Sequence, residues 1–292
     1  SFGGPAAHTA MMHDELVVHR RWVEEAEFLD LVGATNLLPG PNSTEMAIHL
    51  GRRRGGWPGF FAGGIAFILP AMLTVLALSA VYVRAGSLPQ FGWLMYGVKP
   101  VVIALLIQAI VKLGQKAVHG ALAAVIGLLA VAAYFTPVNE LVILVTAGLA
   151  FMLAAGWRRS SPASLAFPWA SLAPAALASI PFTLPLMTLT FLKIGAILYG
   201  SGYVLFAFLN ADFVQRLGWI TQAQLVDAIA IGQVTPGPLF TSATFIGYLL
   251  AGIPGALLAT VAIFLPAFVF VAAPRPLLRP LHAGRGRRDP PA

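Results

Sequence analysis

The sequence predicts an all-α, polytopic transmembrane bundle made of two homologous repeats of inverted topology, each carrying a discontinuous helix. Three observations predict it. The 292 residues are 58% hydrophobic and only 10% charged, whereas a soluble domain carries about a quarter charged residues on average. The apolar residues fall into runs near the roughly 20 that cross a bilayer as a helix. Finally, Asn36-Leu-Leu-Pro39-Gly40-Pro41-Asn42-Ser43 returns 197 positions later as Gln233-Val-Thr-Pro236-Gly237-Pro238-Leu239-Phe240. Proline lacks an N–H donor and disfavours helical geometry in the residue before it, so each triplet interrupts a helix.

Phe28–Leu50 is long enough to cross but is cut by Pro39-Gly40-Pro41, and reads as the first discontinuous helix. Phe60–Val83 is an uninterrupted apolar span. Leu94–Val111 follows, entered through Lys99-Pro100, then Gly120–Phe135 and Leu141–Trp157. Ser160–Trp169 is a polar, proline-containing linker. Ser171–Thr190 is apolar but broken by prolines, and Phe191–Leu209 reads as a further span. Leu225–Gly252, cut by Pro236-Gly237-Pro238, is the second discontinuous helix, and Gly255–Ala273 the last span. This gives a first repeat over 1–159, a linker over 160–169 and an incomplete second repeat over 170–273. The remaining 274–292 form a basic, proline-rich tail expected to be disordered. The chain reads as cut short at both ends, because the first copy starts abruptly and the second lacks the later spans.

The duplication exceeds the triplets. At the same offset Phe2-Gly3 matches Tyr199-Gly200, Trp22 matches Trp219 and Asp30 matches Asp227. After one deletion Gly-Trp-Pro58-Gly59 matches Gly-Ile-Pro254-Gly255, and Phe67-Ile-Leu-Pro70-Ala71 matches Phe264-Leu-Pro266-Ala267. Charge sets the orientation. Arg52, Arg53 and Arg54 precede the Phe60 span, Lys112 and Lys116 follow the second, and Arg158 and Arg159 follow the fourth. The positive-inside rule places these clusters in the cytoplasm, with Arg84 the exception. In the second repeat Leu249–Gly255 carries no charge while Arg275 and Arg279 follow the last span. The last span therefore runs opposite to its partner at Phe60–Val83, the pattern of an inverted repeat, with parity depending on whether the broken helices cross or re-enter.

Ser1-Phe-Gly-Gly-Pro-Ala-Ala-His8, Asn36–Ser43, Gly56-Trp-Pro-Gly59 and Phe67–Ala71 resemble the first half of the chromate ion transporter family. Phe191-Leu-Lys-Ile-Gly195, Gly200-Ser-Gly-Tyr203, Gly232–Pro238 and Phe245-Ile-Gly-Tyr248 resemble that family's second half. The resemblance covers about residues 1–120 and 190–272. It implies a two-domain, long-chain member: a multi-pass protein of the bacterial inner membrane that exports chromate, driven by the proton-motive force, and confers chromate resistance.

The residues point to the same chemistry. A helix restarted after a break presents free N–H groups and a partial positive charge, which suits an oxyanion. Matched breaks in repeat-built transporters mark the substrate site. Asn36, Pro39, Gly40, Pro41, Asn42 and Ser43, with Gln233, Thr235, Pro236, Gly237, Pro238 and Thr241, are therefore the candidate substrate-binding residues. Asn42, Ser43, Thr44, Thr241 and Ser242 are placed to cap the restarted helices. Packing kinks without a ligand are the alternative. Dipoles contribute at most about 2 kcal/mol each, against tens for fully desolvating an ion, so a dianion needs added cations or retained water. Lys193, inside an apolar segment, is the candidate cation, with snorkelling to the interface as its alternative. Arg52–Arg54 set topology or line an anion-gathering vestibule. Asp30 and Asp227, each six residues before its break motif, and Glu45, just after the first, are proton-coupling candidates. Interfacial placement is the other reading of the two aspartates. His8 and His49 could shuttle protons or simply pack. Thr221 with Gln224 reads as a capping box.

Chromate is the expected substrate and the bilayer the expected environment, with self-association left open and no nucleic acid, metal or cofactor implied. A permease for sulfate or another tetrahedral oxyanion is the nearest alternative. A membrane enzyme is disfavoured because the chain lacks Gly-x-Ser-x-Gly, His-Glu-x-x-His and a P-loop, and has no cysteine. A non-transporting scaffold would not need duplicated broken helices.

Overall fold

Every regular element among the described residues is a helix, as the apolar runs require. The computed structural model describes residues 4–36, 38–85, 120–134, 140–154, 181–198 and 204–273, with isolated positions beside them. The elements are α1 (Gly4–His13), α2 (Glu25–Thr35), α3 (Asn42–Ala85), α4 (Ala121–Tyr134), α5 (Glu140–Ala154), α6 (Leu184–Ile197), α7 (Val204–Leu209), α8 (Gln222–Val234) and α9 (Ser242–Ala272). The chain divides into two compact units, Ser1–Val102 with Leu177–Ala292, and Ile103–Ala176. The smaller contains α4 and α5, apolar helices packed on each other. The sequence expectations for Lys99, Lys112, Lys116, Arg158, Arg159, the linker and the tail lie outside the described residues.

In the larger unit α3 and α9 are each two helices joined by a sharp reversal. Gly55 and Gly56 (φ −129° and 58°) interrupt α3, and Ala251 and Gly252 (φ −149° and 62°) interrupt α9 at the corresponding positions. A positive φ is open to glycine at no steric cost. Pro58 and Pro254 then fall in the first turn of the second arm, where a missing N–H matters little. The arms run antiparallel at very short distance. A Cβ on Gly51 or Gly59 would strike the other's carbonyl oxygen, and Gly247 with Gly255 repeats the arrangement. Thr244 and Thr260 join the α9 arms by a 2.7 Å hydroxyl contact.

The second arms, 57–85 and 253–272, are 29 and 20 residues, about 43 and 30 Å long. Each can cross a bilayer, as expected for the Phe60 and Gly255 spans, and the two candidate crossing segments are Asn42–Arg84 and Leu239–Ala272. Phe60 meets Phe268 at 5.5 Å between ring centroids, and Arg52, beside the first reversal, donates to the Val271 carbonyl at 2.8 Å. At the other end Tyr82 meets Phe245 at 5.0 Å. The arms of α3 and α9 thus run antiparallel to one another.

The first broken helix folds back on itself as a hairpin. Arg53 pairs with Glu27 at 2.6 Å, and Arg54 lies 5.3 Å over Trp22. Phe28 and Leu31 of α2 share a core with Met46 and Leu50. The first arm of α3 therefore returns along α2 to the level where α2 began, with Pro39-Gly40-Pro41 at the tip. Its 13 residues, 42–54, span about 20 Å, too short to cross.

The repeats also agree outside these helices. Asp14–His19 and Asn210–Arg216 each widen into a π-helical turn. Trp22 N–H donates to Leu16 at 2.8 Å, and Trp219 N–H to Phe213 at 3.0 Å. Arg21 (φ 51°) and Gly218 (φ 63°) are the matching positive-φ residues.

The structure corrects one span. Phe191–Leu209 is not continuous: α6 ends at Ile197, Leu198 is extended (φ −76°, ψ 113°), and α7 starts at Val204. The Gly-Ser-Gly between them lowers helix propensity. The preceding helix begins at Leu184, capped by Thr183, whose hydroxyl accepts from Leu186 N–H at 3.4 Å.

Candidate functional site: two helix breaks, each seated against the other repeat

Gly40 and Gly237 share the same positive φ, 139° and 136°. Both triplets therefore make the same turn, which only glycine adopts without strain. Each tip is lodged against the other repeat. A Cβ on Gly237 would lie 2.5 Å from the Ala71 Cβ, and one on Gly40 would lie 3.9 Å from the Ala267 Cβ. Ala71 and Ala267 are the matched residues after Pro70 and Pro266, so the Phe…Pro-Ala motifs are the seats for the breaks. The first tip is also tied to α6, Gly40 N–H donating to the Leu198 carbonyl at 2.7 Å.

At the first break Asn36 ends α2, and its Oδ1 accepts from Asn42 Nδ2 at 2.7 Å. Pro39, Gly40 and Pro41 are buried. The Pro41 carbonyl accepts from the N–H groups of Thr44 and Glu45 at 2.8 and 3.1 Å, starting α3. Ser43 Oγ lies 3.3 Å from His8 Nδ1, and the His8 ring packs edge-on to Phe67. Glu45 is fully buried, and neither of its carboxyl oxygens has a hydrogen-bond partner among the described residues. Oε1 leans on Gly40, where a Cβ would strike it. A carboxylate removed from water without such partners is costly.

At the second break Gln233 is in the last turn of α8, and its Nε2 is buried without a hydrogen-bond partner among the described residues. Thr235 turns back to donate to the Ile231 carbonyl at 2.7 Å. Pro236 is exposed, whereas Pro238 is buried. The Pro238 carbonyl accepts from both the N–H and the hydroxyl of Thr241, at 3.0 and 2.8 Å. Ser242 Oγ, fully buried and unpartnered among the described residues, faces Gly232.

The expected hydroxyl caps on α9 do not form. Thr241 bonds backwards to Pro238, and α9 starts without a side-chain cap. The carbonyls of Pro41 and Pro238 accept the first backbone bonds at these restarts, as an N-cap carbonyl of any residue does. The Thr221–Gln224 capping box, by contrast, is present in both directions.

The two aspartates part company. Asp30 is exposed on α2, while Asp227 is buried and accepts from Tyr82 Oη at 2.8 Å. Tyr82, from the far end of α3, was not legible as a site residue because its partner lies 145 residues away. Lys193 pairs with Asp212 at 2.6 Å, and Arg216 reaches the same carboxylate at 2.9 Å. Its polar partner is thus an acid of its own repeat rather than either break. Arg52, Arg53 and Arg54 are held by Val271, Glu27 and Trp22. No cluster of three acidic, histidine or cysteine side chains suited to a metal occurs among the described residues.

No solved structure matches this chain. It is 35% identical to a chromate transport protein of Cupriavidus metallidurans, over 95% of this chain and 71% of that one. It is 33% identical to a chromate transport protein of Pseudomonas aeruginosa, over 92% of this chain and 68% of that one. One family model, described as chromate transporter, matches twice in succession, at residues 1–180 and 185–286, in line with the duplicated breaks. The chain belongs to the chromate transporter family.

Proposed function

We propose that this protein exports chromate across the bacterial inner membrane as a secondary transporter driven by the proton-motive force, and so confers resistance. The observation that carries the reading is the reciprocal seating of Gly40 against Ala267 and Gly237 against Ala71. It brings each break against the interior of the opposite repeat's crossing arm, away from the arm's ends. The antiparallel arms of α3 and α9 support an inverted relation between repeats 1–159 and 170–273. In such a bundle, rocking one repeat against the other exposes a central site alternately to the two sides.

The substrate contacts in this reading come from the break residues already named. Glu45 and Asp227, the two buried acids of the coupling set, carry protons, while the exposed Asp30 is left to the interface. The Asp212 pair takes Lys193 out of the anion-binding set. Retained water then shares the solvation of the dianion, since the helix termini contribute only about 2 kcal/mol each at most.

The test is chromate counterflow in proteoliposomes. Pro39→Ala combined with Pro236→Ala abolishes counterflow while the protein remains folded. Sulfate flux that chromate does not inhibit would replace chromate by another tetrahedral oxyanion. Absence of flux for both in the unaltered protein would refute the transport reading.

A further inference from the structure

We propose that the two breaks are chemically polarised: the second, with Gln233 and Ser242, binds the oxyanion, and the first, with Asn42 and Glu45, binds the coupling cation. This rests on the transport reading above and narrows its substrate contacts from both breaks to the second.

Each break keeps one buried hydroxyl without a partner among the described residues, Thr44 Oγ1 at the first and Ser242 Oγ at the second, and it is the other orphans that differ in type. At the first break those others are acceptors. Asn42 Oδ1 remains after Nδ2 is spent on Asn36, and both Glu45 oxygens remain. Asn42 and Glu45 are three residues apart, so they share a helix face. One carboxylate with neutral oxygens fits a proton or a sodium ion, and no group of three acidic, histidine or cysteine side chains suited to a metal occurs among the described residues. An anion placed there would meet the Glu45 charge. At the second break the orphans are a Gln233 amide N–H₂ and the Ser242 hydroxyl, both able to donate. Ser242 Oγ faces Gly232, the chain neighbour of Gln233.

The duplication sharpens the division. His8, Glu45 and His49 are all buried around the first break. At the repeat offset their counterparts are Leu205, Ser242 and Ile246, or Phe245 after the deletion, and none of these titrates. The charged groups on elements around Glu45 are taken up elsewhere. On α2 Glu25 pairs with His13 and Glu27 with Arg53, while Asp30 is exposed. On α3 Arg52 and Arg54 are held by Val271 and Trp22. Lys193 on α6 is paired with Asp212, and α9 carries no charged residue. The second repeat's buried acid, Asp227, lies six residues before Gln233 on α8 and accepts from Tyr82, so the acid placed just after a break occurs in the first repeat alone.

The full chain in liposomes tests this through two readouts: equilibrium binding of radiolabelled chromate, and uphill accumulation under an imposed pH or sodium gradient. Ser242→Ala and Gln233→Leu each weaken chromate binding by about tenfold, the loss of one hydrogen bond to a charged group. Ser242→Thr, which keeps the hydroxyl, restores most of it. Glu45→Gln binds chromate within about twofold of the unaltered protein and exchanges it, but loses accumulation under the gradient that drives that protein. Whichever gradient works identifies the cation. Tenfold loss of binding in Glu45→Gln, or undiminished binding in both second-break variants, overturns the polarity. An unaltered protein that binds no oxyanion fails the transport reading itself, and is recognised before any variant is made.

Discussion

Replacing Gly237 by alanine tests the seating of the breaks most directly. The residue sits at φ 136°, and an added Cβ would lie 2.5 Å from the Ala71 Cβ. Strained backbone at such a φ costs about 1–3 kcal/mol, and overpacking of a methyl into a filled contact about 1–3 more. The expected destabilisation is therefore about 2–6 kcal/mol. Only the second part depends on Ala71. Ala71→Gly alone costs about 1 kcal/mol, as glycine within a helix. In the double variant it returns the overpacking term, giving a coupling of about 1–3 kcal/mol. Gly40→Ala behaves differently. Its Cβ would stand 3.9 Å from Ala267, an ordinary contact, and would instead strike Glu45. Ala267→Gly therefore gives no rescue there. The assay is thermal unfolding in detergent, followed by tryptophan fluorescence. If Gly237→Ala is neutral within 0.5 kcal/mol, or shows no coupling to Ala71, the reciprocal seating is refuted.

Tyr82→Phe removes the hydrogen bond to buried Asp227 and should cost about 1–3 kcal/mol, measured as a lower melting temperature. Asp227→Asn, which still accepts that bond, should cost less. Arg21→Gly relieves a left-handed backbone worth about 1–2 kcal/mol, less about 0.5–1 for glycine's greater freedom when unfolded. A gain of up to about 1.5 kcal/mol should follow, because Gly218 already occupies the matching position. The hairpin predicts that cysteines at Glu24 and Arg54 react with a membrane-impermeant thiol reagent from the same side. Labelling from opposite sides would mean that the break crosses. The lack of native cysteine leaves that experiment without background.

Much of this was legible in the chain. Spans such as Phe60–Val83 follow from hydropathy alone, because a bilayer selects apolar length and little else. The breaks at Pro39-Gly40-Pro41 and Pro236-Gly237-Pro238 follow from proline's missing donor. The matched glycines and prolines gave away the duplication because backbone geometry, unlike side-chain packing, constrains residue type tightly. Glu45 was a candidate from its position just after a break, and proved to be the buried acid of the first tip.

What the sequence alone determined is therefore local: where helices form, where they stop, and that the pattern occurs twice. Tertiary structure decided everything that depends on distance across the chain. Hydropathy cannot tell a straight segment from one folded back on itself; the Arg53–Glu27 pair shows the first broken helix folded back. Equivalent sequence positions gave Asp30 and Asp227 equal standing, yet only Asp227 meets Tyr82, because burial depends on which repeat packs over it. Lys193 looked like a cation awaiting an anion until Asp212 was brought beside it. Local rules act through the backbone within a few residues. Electrostatic pairing and the seating of Gly40 and Gly237 act between residues that only folding makes neighbours.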